Sequence, residues 1–209
     1  MEHPDNEEGH EEFEDAPIQW AVLQDIPEQF YSEESNEPLS HCIMCERYLL
    51  EDGTQYMVEK AMRRNPELGT ESALFEMAVC LDCAEQQRSQ LSTESLANIE
   101  AFFKENFRHQ QRSAIDLVQG QQASDWLTNC SINGTDIEGE TEYQLCGLCN
   151  GRQMVFGQLP YVLGGTALEA LQDLLSEETK DEMNGFTDTY FGLPPELADL
   201  FKDRPVLVL

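Results

Sequence analysis

Basic residues are scarce in this 209-residue chain. Twelve Lys plus Arg stand against 41 Asp plus Glu, for a net charge of −29. Nucleic-acid binders neutralise phosphate with clustered Lys and Arg, so this balance excludes nucleic acid as an expected partner. It argues equally against an anionic membrane surface. Histidine is scarce as well: of four, His3 and His10 lie in the acidic N-terminal stretch. The sequence holds no HExxH, no GxSxG, no P-loop and no dinucleotide fingerprint. Acid pairs such as Glu177-Glu178 and Asp181-Glu182 read as a solvated, capped helix start. The expectation is therefore a non-enzymatic protein. There is no apolar run of 18 residues and no basic-then-apolar leader, so neither a membrane span nor secretion is expected. The expected setting is a reducing cytoplasm, where cysteines serve metals more often than disulfides.

What the chain does have is seven cysteines, six of them in CxxC pairs. His41-Cys42-Ile43-Met44-Cys45 is answered by Cys80-Leu81-Asp82-Cys83, with residues 46 to 79 between. Two intervening residues let a tight turn aim both sulfurs at one ion, and four thiolates complete a tetrahedral shell that suits zinc. The second pair follows an apolar run, Phe75 to Val79, and opens a helical-looking segment. Free N–H groups and the dipole at a helix start offset the negative charge of a Zn(Cys)₄ centre. The competing chemistry is redox, because CxxC after an apolar strand and at a helix start is also the local form of a thioredoxin-like motif. A thioredoxin site does not need the pair at 42 and 45, and no βαβ pattern precedes Phe75.

Residues 42 to about 90 resemble a treble-clef or zinc-ribbon-type four-cysteine finger. The resemblance implies Zn²⁺ held by Cys42, Cys45, Cys80 and Cys83, with a knuckle, a hairpin and a helix in that order. Tyr48-Leu49-Leu50, the turn Glu51 to Thr54, and Tyr56-Met57-Val58 read as strand, turn, strand, with Asp52-Gly53 as the turn signal.

Around this site the chain divides by composition. Residues 1–37 form an acidic, largely disordered tail carrying a short apolar docking segment, 17–31, with Trp20 in it. Lys60 to Arg64 is the densest basic patch and reads as a solvated helix face, or as a receiver for the acidic tail. Ser92 is a candidate N-cap, followed by Leu96, Ile99, Phe103 and Phe107 at helical spacing. The zinc-binding unit spans 38–111, a connector 112–124, and a second unit 125–209. This last ends in a short helix from Pro194 and a strand over Val206 to Leu209.

The second unit reads as a decayed copy of the first. Moving residues 75–107 forward by 84 superposes Leu91-Ser92-Thr93-Glu94-Ser95 on Leu175-Ser176-Glu177-Glu178-Thr179 without gaps. Phe102 and Phe107 fall on Phe186 and Phe191. With small shifts Tyr56 matches Tyr143 and Cys42 matches Cys130. Asn133, Gly164 and Ala167 then stand where Cys45, Cys80 and Cys83 should be, so this copy is expected to be largely metal-free. Cys130, Cys146 and Cys149 form a candidate second metal or redox site, with His41 or His109 as a conceivable fourth ligand.

The fold class expected is α+β: two small treble-clef-like units in tandem, hairpin plus helices. The function expected is a zinc-binding protein-interaction or adaptor module with protein as its partner. A thiol-redox or metal-sensing protein is the alternative.

Overall fold

Two long strands that the sequence disguises form the centre of the molecule. The computed structural model describes residues 22–108 and 123–192. Strand β1 (Val22–Asp25) is followed by a 3-10 turn over Glu28–Phe30. Strands β2 (Gln55–Asn65) and β3 (Thr70–Cys80) make a hairpin that runs directly into helices α1 (Leu81–Arg88) and α2 (Thr93–Asn106). Strands β4 (Glu142–Asn150), β5 (Gln153–Phe156) and β6 (Tyr161–Gly164) lead into α3 (Gly165–Gln172) and α4 (Glu177–Phe191). The strands form one antiparallel sheet in the order β1-β5-β4-β2-β3, with β6 also on β4.

The hairpin corrects the expected one. Tyr48–Leu50 is not a strand: Tyr48 makes only an isolated bridge to His41. Asp52-Gly53 turns the chain into β2 instead of reversing it between strands. The real reversal lies at Pro66 to Gly69, where Asn65 Oδ1 accepts the N–H groups of Glu67 and Leu68, and Gly69 adopts φ +61. An αL residue favours glycine because a Cβ is strained there.

The basic patch is a second correction. Lys60 to Arg64 belongs to β2, not to a helix face. Lys60, 2% exposed, donates to Tyr31 O and Glu33 Oε1, both at 2.6 Å, and lies 3.7 Å from Glu76. Arg63 pairs with Glu142, and Arg64 with Glu71. The described part of the docking segment expected at 17–31 within the acidic tail is built into the fold. Val22–Asp25 pairs with β5, and Ile26 and Phe30 are buried. The rest of that tail, 1–21, lies outside the described residues, as do most of the connector and the expected C-terminal helix and strand.

The two halves share a sheet through β2 and β4, which pair over their full length. One row across it is Met77, Glu59, Cys146, Tyr161, all buried. This face carries the helices, as Phe103 on Tyr161 and Phe191 on Phe75 show. The opposite face carries Tyr56, Val58 and Gly147 beneath Phe30. A Cβ on Gly147 would meet Met154 Cε at 2.6 Å and the Phe30 ring at 3.1 Å. Gly147→Ala should therefore lower stability by about 1–3 kcal/mol, the usual cost of overpacking, read from the urea midpoint. An unchanged midpoint would mean that Phe30 moves aside freely.

The same local hydrogen bonds recur in both halves. Cys42 N donates to Arg47 O, and Cys130 N to Thr135 O. Ile43 N donates to Ala78 O at the edge of β3, and Ser131 N to Val162 O at the edge of β6. The helices meet through their caps: Ser92 Oγ, N-cap of α2, lies 2.9 Å from Ser176 Oγ, N-cap of α4, 84 residues on. The contacts are reciprocal. Ser92 N donates to Thr179 Oγ1 at 3.0 Å and Ser176 N to Ser95 Oγ at 2.8 Å. Ser95→Ala strands the Ser176 N–H in a site with no exposure at residue 95. A loss of roughly 1–3 kcal/mol is expected in denaturant unfolding, the cost of an unsatisfied buried donor.

Candidate metal centre

The first CxxC sits on a knuckle and the second at the join of β3 and α1. In the knuckle, Glu46 N donates to Cys42 O at 2.9 Å, and Glu46 takes φ +60 to close the turn. Ile43 N binds Ala78 O, fixing the knuckle to the end of β3. Cys80 is the N-cap of α1, extended at φ −64 and ψ 152, and Cys83 falls in the first turn. One ligand atom from each of Cys42, Cys45, Cys80 and Cys83 lies within 4.8 Å of the others. Cys42, Cys80 and Cys83 are buried and Cys45 is exposed.

The geometry suits a metal and not a disulfide. Cys45 Sγ lies 3.8 Å from Cys80 Sγ. Sulfurs at the corners of a tetrahedron 2.3 Å from its centre are about 3.8 Å apart. A disulfide needs about 2.05 Å, and all seven cysteines are free. The electrostatics agree. Burial raises the Cys42 thiol, but the backbone N–H groups of Cys80, Cys45 and Met44 outweigh it and bring the group to about 7. Cys80 N lies 3.4 Å from Cys42 Sγ. Cys83 is pushed up by burial and then by hydrogen bonding with the neighbouring cysteines Cys80 and Cys45. Cys80 is likewise raised, by burial first. Cys80 and Cys83 thus resist ionising, and a divalent cation at the centre of the four sulfurs would reverse that resistance.

The remaining cysteines do not converge. Among the described residues, the only group of three or more potential ligands is the first four cysteines. Cys146 and Cys149 are three apart on β4, so alternation sends them to opposite faces. Cys146 lies in the row with Glu59 and Tyr161, where burial and then the Glu59 charge push its thiol well up. Cys149 pairs with Tyr56 and is pushed up to about 12 by burial. Cys130 is buried at the start of the turn that runs to Thr135, and Gly164 N lies 3.4 Å from its sulfur. His41 stacks edge-on against Tyr48 and bonds to Ser40. His109 lies outside the described residues.

Sequence reasoning missed the Glu59-Gln144-Cys146-Tyr161 cluster. Gln144 Nε2 donates to Glu59 Oε2 at 3.1 Å, and all four residues are buried. The signal was faint: charged Glu59 inside an apolar run looks like the exposed side of a strand.

Among the described residues no helix is long and apolar enough to cross a membrane. Comparison with protein-family models, with curated proteins and with solved structures returned no match.

Proposed function

We propose that Cys42, Cys45, Cys80 and Cys83 hold one structural Zn²⁺, and that the protein is a non-enzymatic, zinc-stabilised interaction module. The observation that carries this reading is the convergence of four sulfurs within 4.8 Å. A catalytic zinc keeps a position open for water or substrate, whereas four thiolates close the shell. Knuckle, hairpin β2–β3 and a helix opened by CxxC stand in treble-clef order, which supports that assignment.

The recurring hydrogen bonds support a second, metal-free copy built on the same plan. Cys130 takes the place of Cys42, and Gly164 N approaches its sulfur as Cys80 N approaches that of Cys42, each at 3.4 Å. Asn133, Gly164 and Ala167 offer no thiol. In place of a metal, Ala167, Leu171 and Leu175 are buried and anchor the helix by packing.

Partner binding is placed at the rim of the metal centre. Tyr48 and Leu81 are exposed large apolar residues, 42% and 37%, on the knuckle and on the first residue of α1. The test has two parts. Cobalt added under reducing conditions should give intense thiolate-to-metal absorption and tetrahedral bands, lost in Cys45→Ser. The double variant Tyr48→Ala/Leu81→Ala should keep the metal but lose proteins captured by the wild type. Identical captured sets would remove the interaction surface from this account, and absent cobalt bands would remove the metal.

Metal binding requires deprotonated thiols, so acidification should release it. Bound thiolates titrate below their unfolded value of about 8.5. The stability they confer is present above that value and is lost as pH falls through the bound-state value. Cobalt absorption followed during acid titration should fall together with the unfolding midpoint.

The redox alternative draws on one observation, the exposed Cys45 with Cys80 at 3.8 Å. A reversible Cys45–Cys80 disulfide, formed under mild oxidant in protein purified without metal, would favour it.

A further inference from the structure

We propose that residues 1–21 of this chain dock in the groove between α2 and the β5–β6 connection, with Trp20 and Ile18 on its aromatic floor and the acidic stretch on its basic rim.

The groove has a volume of about 830 Å³. Ile99 and Phe103 of α2 and Phe107 at its C-cap face Leu159 and Tyr161 across it. Phe103 and Phe107 are only half-buried, and both rings stand 5.8 Å from Tyr161. Arg88 and Lys104 also line it, with Glu100 between them. Both cations are exposed and neither forms an ion pair among the described residues. Other cations of this chain are engaged: Arg47, Lys60, Arg63, Arg64 and Lys180 all pair with carboxylates. In a protein of net charge −29, two uncommitted cations beside one aromatic groove select an acidic, aromatic occupant.

Residues 1–21 have that chemistry and start from the right place. They contain eight acids (Glu2, Asp5, Glu7, Glu8, Glu11, Glu12, Glu14, Asp15), no Lys or Arg, and Phe13, Ile18 and Trp20. The described chain begins at Val22, which pairs antiparallel with Phe156. Two residues beyond Phe156 is Gln158, which lines the groove, followed by Leu159 on its floor. The segment is thus attached at the groove's own wall. From Val22 to Asp15 an extended chain reaches about 23 Å, enough to bring the acidic cluster to α2. Exposed ion pairs are individually weak and screened by salt, so the aromatic contacts hold the segment and the charges orient it. Arg108, just past Phe107, lies instead against the turn around Gly134, and its backbone N–H donates to Ser131 O.

Carbodiimide cross-linking of the full chain tests this, because it joins the Lys104 amine to whichever carboxylate is in contact with it. Mixing isotopically labelled and unlabelled chains tells links within one molecule from links between two. The expected result is an intramolecular link from Lys104 to an acid of residues 1–21, with yield falling several-fold in Trp20→Ala and in Arg88→Glu. Hydrogen exchange of residues 99–107 should quicken in Trp20→Ala. The proposal is overturned if Lys104 links only to acids of its own helix, to Asp116, to acids beyond residue 192, or to a second molecule. It is overturned equally if Trp20→Ala leaves both cross-linking and exchange unchanged.

Discussion

Cys83→Ser should abolish the folded first half of the sheet's metal anchor and, with it, most of the protein's stability. A structural zinc contributes on the order of 10 kcal/mol of folding free energy, and a domain's whole margin is about 5–15 kcal/mol. Under the proposed zinc site, that energy would be concentrated here. The knuckle reaches the rest of the fold chiefly through its sulfurs, one of which accepts from Cys80 N, through the backbone bond from Ile43 N to Ala78 O, and through the exposed Arg47–Asp82 pair. Without a cation, three buried thiols face one another and Cys83 is driven further from ionising. Thermal unfolding by circular dichroism, with and without chelator, separates the contributions. Chelation should lower the wild-type midpoint sharply and leave Cys83→Ser unchanged. Cys130→Ser is the control: it keeps an acceptor near Gly164 N and removes no ligand of the four-cysteine cluster, so it should cost only about 1 kcal/mol, an ordinary point-mutant effect. Equal sensitivity of the two variants would contradict the single-site account.

Lys60→Ala should be the most damaging change away from the cysteines. The side chain is 3% exposed, and its ammonium joins three groups: Tyr31 O, Glu33 and Glu76. Glu76 in turn accepts from Ser32 Oγ at 2.7 Å and Glu33 N at 3.0 Å, so Lys60 and Glu76 together fasten residues 31–33 onto β2 and β3. Removing one partner of a buried pair costs 3–5 kcal/mol, because a desolvated charge is left behind. Glu33 is half exposed, so about 3 kcal/mol is expected. Lys60→Met should recover the packing part only. In the Glu76→Gln background Lys60→Ala should cost markedly less, and a double-mutant cycle in urea measures the difference. Strict additivity would show that Lys60 acts through packing alone. Backbone exchange of residues 28–38 should rise in Lys60→Ala.

The four-cysteine cluster was legible because its rule is local: CxxC at a turn and CxxC at a helix start need no knowledge of the rest of the chain. The cap at Ser92 was legible for the same reason, since Ser92 Oγ accepts from Ser95 N within one turn. The hairpin was not. β2 carries Glu59, Lys60, Arg63 and Arg64 in a strand with neighbours on both sides, and each charge is answered by a residue distant in sequence. Local pattern reading sends such a stretch to a solvated helix. The Asp52-Gly53 signal made a true turn with Gly53 at φ +85, but one that connects the knuckle to β2. Likewise, nothing local announces that β2 and β4 pair and place Glu59 opposite Cys146. The spacing of Cys146 and Cys149 reads as a candidate metal or redox pair. A strand's two-residue period separates them, and only the sheet reveals that they lie on one.

Metal content per chain, by elemental analysis of full-length protein purified under reducing conditions, tests the central claim most directly. The account predicts one zinc per chain in the wild type, in Cys146→Ser and in Cys149→Ser, none in Cys83→Ser, and release of that zinc as four thiols are titrated. Two zincs per chain, or a wild-type protein that folds without any metal, would contradict it.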